Sequence, residues 1–221
     1  MESEKGMKDM KKRSFKAVLL LFVLTTLTIA LGGCSGDKKG DSSSQITIGI
    51  PQDLEDSLDP HKMVAAGTRE VLFNIFEGLV KVTSDGDFVP AVASSYEETE
   101  GGKVYTFTLR DNVKFHDGST VTAEDVKFSL DKCADTSAGE PLVAAFSNID
   151  SVNILDDKTV QVVLKEADTE FLAYMTTAII PASNADPDTN PIGTGPYKFV
   201  SRSPQENFVM ERFDDYWGEP A

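Results

Sequence analysis

The sequence predicts an α+β body rich in antiparallel hairpins. Three observations carry that reading. Strand-like alternation places Tyr105, Phe107 and Leu109 on one side of a segment, and β-branched runs recur at 149–155 and 159–164. Turn-forming pairs, Gly101-Gly102, Asp117-Gly118 and Asp156-Asp157, punctuate those runs at hairpin distances. Helical spacing of apolar residues is confined to short stretches between them.

Taken in order, the elements begin with Ile46-Thr47-Ile48-Gly49-Ile50, an alternating β-branched strand stopped by Pro51. Ser57-Leu58-Asp59-Pro60-His61 is an extended or turn segment, because Pro60 pushes Asp59 out of the α region. From Thr68, residues Val71, Leu72, Ile75, Phe76, Leu79 and Val80 form one face of an amphipathic helix. Asp85-Gly86 turns the chain into Phe88-Val89-Pro90-Ala91. Residues 96–110 form a hairpin bent at Gly101-Gly102, extended by Val113 and Phe115 to the turn at Asp117-Gly118. Thr122 opens a helix, with Asp125 answering it as in a capping box and both Glu124 and Asp125 suiting the positive helix end. Val126 and Leu130 set its inner face, and Phe128 and Cys133 need burial nearby. Residues 149–155 and 159–164 make a second hairpin about Asp156-Asp157-Lys158. Asp168–Met175 is a short helix carrying Phe171, Leu172 and Met175, residues 181–191 are a polar loop, and 197–200 pairs antiparallel with 208–211.

Ahead of this body lies a leader. Lys8, Lys11, Lys12, Arg13 and Lys16 precede Ala17–Leu31, which is apolar except for Thr25, Thr26 and Thr28. That is the layout of a secretory signal. The run of 15 residues is shorter than the roughly 20 needed to span a bilayer. Leu31-Gly32-Gly33-Cys34 resembles the lipobox of bacterial lipoproteins, which implies that residues 1–33 are removed and Cys34 is acylated as an anchor. Residues 34–45 are small and polar and read as a flexible tether.

The 221-residue chain has a net charge of −15, and the leader contributes six of the basic residues against three acids. The remaining 188 residues carry 15 basic and 33 acidic side chains, a balance of −18. Such a surface repels nucleic acid and anionic lipid, which argues against a DNA, RNA or polybasic membrane-surface role. With Cys34 taken by lipid, Cys133 has no disulfide partner and reads as a small buried apolar residue. The fold must then rely on an apolar core. The two histidines, His61 and His116, are far apart and no cysteine cluster accompanies them, so zinc-site spacing is absent, and no metal or cofactor is expected. Gly193-Thr194-Gly195-Pro196 lacks the lysine and helix of a phosphate-binding loop and reads as a turn into a strand. His116-Asp117 has no activated-serine signature beside it, so packing rather than a hydrolytic triad is expected.

One ordered set of segments is distinctive as a whole. It runs through Ser57-Leu58-Asp59-Pro60-His61, Glu77-Gly78-Leu79, Pro90-Ala91-Val92-Ala93, Tyr105–Arg110 and Val113–Gly118. It continues with Thr122–Val126, Pro191–Tyr197 and Asp215-Tyr216-Trp217-Gly218. Together these resemble the peptide/nickel-binding family of extracellular solute-binding proteins, family 5, which serve ABC importers. The resemblance implies the first lobe of a two-lobed, type II periplasmic-binding-protein-like fold that closes on its ligand. It places the lobe at 46–221, an inserted subdomain at about 80–145, and a second lobe outside this chain.

The same resemblance implies a binding protein without catalysis, held outside the cytoplasm by its lipid and delivering oligopeptides or similar solutes to permease subunits. A ligand-sensing receptor that signals through a membrane partner, a truncated fragment with little binding, and an exported hydrolase are the alternatives. Its ligand wall falls on Met63, Val64, Ala65, Ala66, Gly67 and Thr68, whose small side chains let backbone groups approach a ligand. Leu142 and Phe146 would line the cleft from the subdomain side, and Thr176 and Thr177 from the main part. Tyr216 and Trp217 read as core or interface aromatics.

Overall fold

The computed structural model describes residues 46–55, 57–137 and 139–219. The signal segment, Cys34 and the tether up to residue 45 lie outside the described residues. Ile46–Gly49 group apart from the body that begins at Ile50. They form no strand, and Ile46 and Ile48 are exposed, so the predicted first strand is not formed here. A strand needs a partner for its backbone groups, and alternation in the sequence supplies none.

The body centres on a four-stranded antiparallel sheet in the order β3-β4-β6-β5: β3 Ala93–Thr99, β4 Val104–Leu109, β5 Ile149–Asp156 and β6 Thr159–Leu164. Both predicted hairpins are present in it. β4 is the central link, pairing Phe107 with Val160 and Tyr105 with Val162. Tyr105, Phe107, Leu109, Val160, Val162 and Leu164 alternate onto one buried face. The predicted subdomain boundary near residue 145 does not coincide with a break in this sheet, because strands from 93–109 and 149–164 share it.

The helix α2, Ala123–Ala134, packs against β5 and β6 and contributes Val126, Leu130 and Cys133 to the same core. Its capping box forms as predicted: Thr122 Oγ1 accepts from the Asp125 N–H and Asp125 Oδ2 accepts from the Thr122 N–H. Asp125 Oδ1 also accepts from the Ala182 N–H, and Ser129 Oγ accepts from the Ile180 N–H at 3.0 Å. The segment 180–182 is therefore stitched along the helix. The turn at Asp117-Gly118 places Phe115 fully inside the core. Cys133 is buried and free, and burial pushes its thiol up to about 12, so it is inert at neutral pH.

Two smaller ribbons complete the body: β1 Val80–Val82 with β2 Phe88–Pro90, and β7 Tyr197–Ser203 with β8 Asn207–Arg212. The helix predicted from Thr68 to Val80 is shorter than its apolar pattern. The observed α1 covers Ala66–Leu72 only. Beyond it the backbone finds other partners. Asn74 and Ile75 carbonyls accept from Tyr197 and Gly195, Glu77 accepts from Ile179, and Leu79 accepts from Ala91. Ile75, Phe76 and Leu79 are buried all the same, so the apolar pattern was right about burial and wrong about conformation. Asp168–Met175 likewise differs from its prediction, forming a 3₁₀ turn over Phe171–Thr176. No helix among the described residues is long and apolar enough to cross a membrane.

Candidate functional site

The loop from Ser57 to Ala65, which leads into α1, is held from behind by charge. Asp59 is completely buried. Its Oδ1 accepts from the His61 N–H at 3.1 Å and its Oδ2 accepts from Lys132 Nζ at 2.7 Å. The Leu58 N–H donates to the Asp188 carbonyl at 2.8 Å, Ser57 Oγ donates to the Asp188 carboxylate, and Lys62 Nζ reaches the same carboxylate. His61 Nε2 donates to the Ala178 carbonyl at 2.8 Å, which makes it the protonated nitrogen; Nδ1 is buried without a hydrogen-bond partner.

The far side of the loop faces solvent. Val64 is 79% exposed, Ala66 and Gly67 are exposed, and Met63 and Ala65 are half-buried. The Glu55 carboxylate accepts from the Val64 and Ala65 amides, and Arg69 donates to the Met63 carbonyl, so the loop has a fixed shape. Thr68 is buried, its hydroxyl accepting from the Glu55 N–H. Thr177 directly precedes Ala178, whose carbonyl accepts from His61. Met63 and Ala178 pack on one apolar cluster with Leu58, Leu72, Ile75, Phe76 and Ile180. Thr176 is exposed and Thr177 half-buried.

Leu142 is exposed and Phe146 is not. Phe146 packs with Phe171, ring centres 5.8 Å apart, and serves the core. Leu142 follows the C-terminal turn of α2, where the Cys133 carbonyl accepts from the Val143 N–H. That turn thus bonds to two separate loops, through Lys132 to Asp59 and through Cys133 to Val143.

His116 is engaged with backbone. Its Nδ1 accepts from the Gly193 N–H at 3.3 Å and its Nε2 donates to the Gly195 carbonyl at 3.0 Å. Both ring nitrogens are occupied structurally, and the Gly-rich segment is a packed turn rather than an anion cradle. Thr194 between the glycines is buried and donates to Glu77, whose carboxylate also accepts from Tyr216 Oη at 2.7 Å and Trp217 Nε1 at 2.6 Å. Arg110 lies over the indole at 4.4 Å. Tyr216 and Trp217 are therefore half-buried core anchors. Burial raises the Glu77 carboxyl above its ordinary value despite these donors.

Burial lowers both histidines. For His61 the Ala178 bond opposes the loss of solvent and Lys132 reinforces it; for His116 the Gly195 bond opposes it and Lys198 reinforces it. A histidine whose folded pKa is depressed contributes stability that is complete above about pH 6.5 and is lost as pH falls through the folded value. Glu77 acts in the opposite sense, contributing at low pH and losing that contribution as pH rises through its raised value. With two histidines against one carboxyl, the urea midpoint is expected to be lower at pH 5.5 than at pH 7.5. A midpoint that rises on acidification would show Glu77 dominating instead.

Sequence reasoning named the loop and did not find its supports. Lys132 and Asp188 carry no local signature, and their partners lie 73 and 131 residues away. No group of three or more His, Cys, Asp or Glu among the described residues could hold a metal ion.

Residues 87–221 match the family model of bacterial extracellular solute-binding proteins, family 5 Middle. The chain is 31% identical over 172 residues to the glutathione-binding protein GsiB of Pectobacterium atrosepticum, covering 73% of this chain and 33% of the relative. It is 29% identical to the oligopeptide-binding protein OppA of Bacillus subtilis, covering 94% of this chain and 44% of the relative. Among solved structures it is similar to the PBP AgaA from A. tumefaciens R10 in complex with agropinic acid. That match has 33% identity and a TM-score of 0.69, covering 74% of this chain and 35% of AgaA. The chain thus spans between a third and a half of the length of these relatives.

Proposed function

The chain belongs to the bacterial extracellular solute-binding proteins, family 5, a family of binding proteins rather than enzymes, and we propose that it supplies one lobe of a receptor delivering oligopeptides or similar small solutes to an ABC importer. The observation that carries this reading is the 63–67 segment, a loop that runs into the first residues of α1. It is exposed on one side, built of small residues, and locked on the other by a buried ion pair and the His61–Ala178 bond. Such a loop presents rigid backbone to an extended ligand without having to order on binding, which spares the entropy of closure. The same reading assigns the exposed Thr176 and Leu142 and the half-buried Thr177 to the cleft.

The two named relatives bind peptide-backbone ligands, glutathione and oligopeptides, while AgaA holds a different small acid; a backbone-lined wall accommodates that range. A second lobe closes over the ligand, and acylated Cys34 keeps the receptor outside the cytoplasm beside its permease. Calorimetry of the complete protein with a mixed library of two- to five-residue peptides is expected to show saturable binding at micromolar concentration or below. Absence of binding across the library would overturn the peptide reading, and Cys34→Ala protein that still incorporates labelled palmitate would overturn the anchor.

A further inference from the structure

Lys132 closes the last turn of α2, and its ammonium meets the buried Asp59 carboxylate at 2.7 Å. We propose that Lys132 is the positioning residue of the ligand loop, an inference that rests on the reading of residues 63–67 as a ligand wall. A buried carboxylate is tolerated only where its charge is paired and its remaining lone pairs are filled. Asp59 meets that condition through two contacts, the His61 N–H on Oδ1 and the Lys132 ammonium on Oδ2. Lys62 Nζ is 3.8 Å from the same oxygen, but its side chain is 46% exposed and already engaged by Asp188. Lys132 therefore decides where Asp59 sits.

Asp59 in turn decides where the loop goes. Pro60 fixes its own φ, and the next residue is bonded back to the Asp59 carboxylate, so the path from 59 to 63 has little freedom. The support behind Lys132 is rigid. Leu130 and Cys133 are fully buried on either side of it, and Ser129 is bonded to Ile180. One residue further on, the Cys133 carbonyl fixes Val143 beside Leu142. The C-terminal turn of α2 thus carries the order of the core to both margins of the candidate cleft.

The test separates position from stability. In the complete protein, Lys132→Met is expected to accelerate hydrogen exchange at the His61, Lys62, Val64 and Ala65 amides more than tenfold relative to β4 and β6, and to weaken library binding at least tenfold. Lys132→Arg should restore both to within about twofold. The double variant Asp59→Asn/Lys132→Met removes the unpaired buried charge. It should recover thermal stability while loop exchange stays fast and binding stays weak. If its binding returns with its stability, or if loop exchange in Lys132→Met rises no more than in the strands, Lys132 is a structural residue only and the proposal fails. The exchange measurement needs no ligand. Fast loop exchange with unchanged binding would uphold the positioning role and overturn the loop as ligand wall.

Discussion

Replacing Glu77 with alanine is expected to cost about 3 kcal/mol and to lower the thermal midpoint by roughly 6–12 °C. The change removes the acceptor for three donors at once: Thr194 Oγ1, Tyr216 Oη and Trp217 Nε1. Each donor loses a bond to a carboxylate, and such bonds contribute about 1.5–3 kcal/mol apiece where water is excluded. The half-burial of Tyr216 and Trp217 lets water recover part of that, which brings the total below the sum of three such bonds. Glutamine is not a faithful replacement. Both Glu77 oxygens accept, and an amide would turn an N–H toward at least one donor. Glu77→Gln should therefore fall between wild type and alanine. The chain has one tryptophan, so its emission reports the same event, shifting to the red as the indole leaves Arg110. An unchanged midpoint with unshifted emission would show that the clasp is replaced by water at no cost.

A comparable loss is expected for Gly193→Ala. A Cβ at this position would overlap the Ile75 carbonyl oxygen and lie 2.7 Å from Phe76 Cδ1. Neither neighbour is free to yield. The Ile75 carbonyl is bonded to the Gly195 N–H, and Ile75 itself is fully buried. The Gly193 backbone also exchanges two bonds with His116, through its N–H to Nδ1 and its carbonyl to the His116 N–H. Displacing the turn breaks those bonds together. Overpacking of this kind costs about 1–3 kcal/mol, and the coupled bonds place it at or above the upper figure. Gly67→Ala is the matched control. Gly67 sits within α1 with no atom near its would-be Cβ. Alanine there should be neutral or stabilise by up to about 1 kcal/mol. Equal effects of the two substitutions would mean that packing around 193 is softer than its geometry indicates.

Local chemistry in the sequence was a good guide wherever the structure is itself local. The Thr122–Asp125 capping box, the turn at Asp117-Gly118 and both hairpins of the four-stranded sheet depend on residues a few positions apart, and all were readable. The failures share one cause. Residues 74–79 have the periodicity of a helix, yet their backbone groups bond to 91, 179, 195 and 197. Tertiary partners outcompeted the helical ones, and no window of local sequence contains that information. The candidate site divides in the same way. Its exposed loop announces itself through Asp59-Pro60-His61 and the small residues that follow. Lys132, which neutralises Asp59, looks like any lysine near a helix C-terminus. Phe146 reads from the sequence as cleft lining, and its burial against Phe171 assigns it to the core instead.

The clasp at Glu77 also has a bearing on how the protein is made. Its partners Tyr216 and Trp217 follow it by 139 and 140 residues, and Arg202 closes on the Leu54 carbonyl across 148. A ribosome adding about 5–20 residues per second brings out Trp217 roughly 7–28 s after Glu77. For most of that interval the apolar surface of Ile75 and Phe76 has no Gly193–Gly195 turn against it, and contacts so distant along the chain form slowly even when all residues are present. Glu77 is therefore without its two aromatic donors until the stretch to Trp217 has been made, and the clasp can close only after that point.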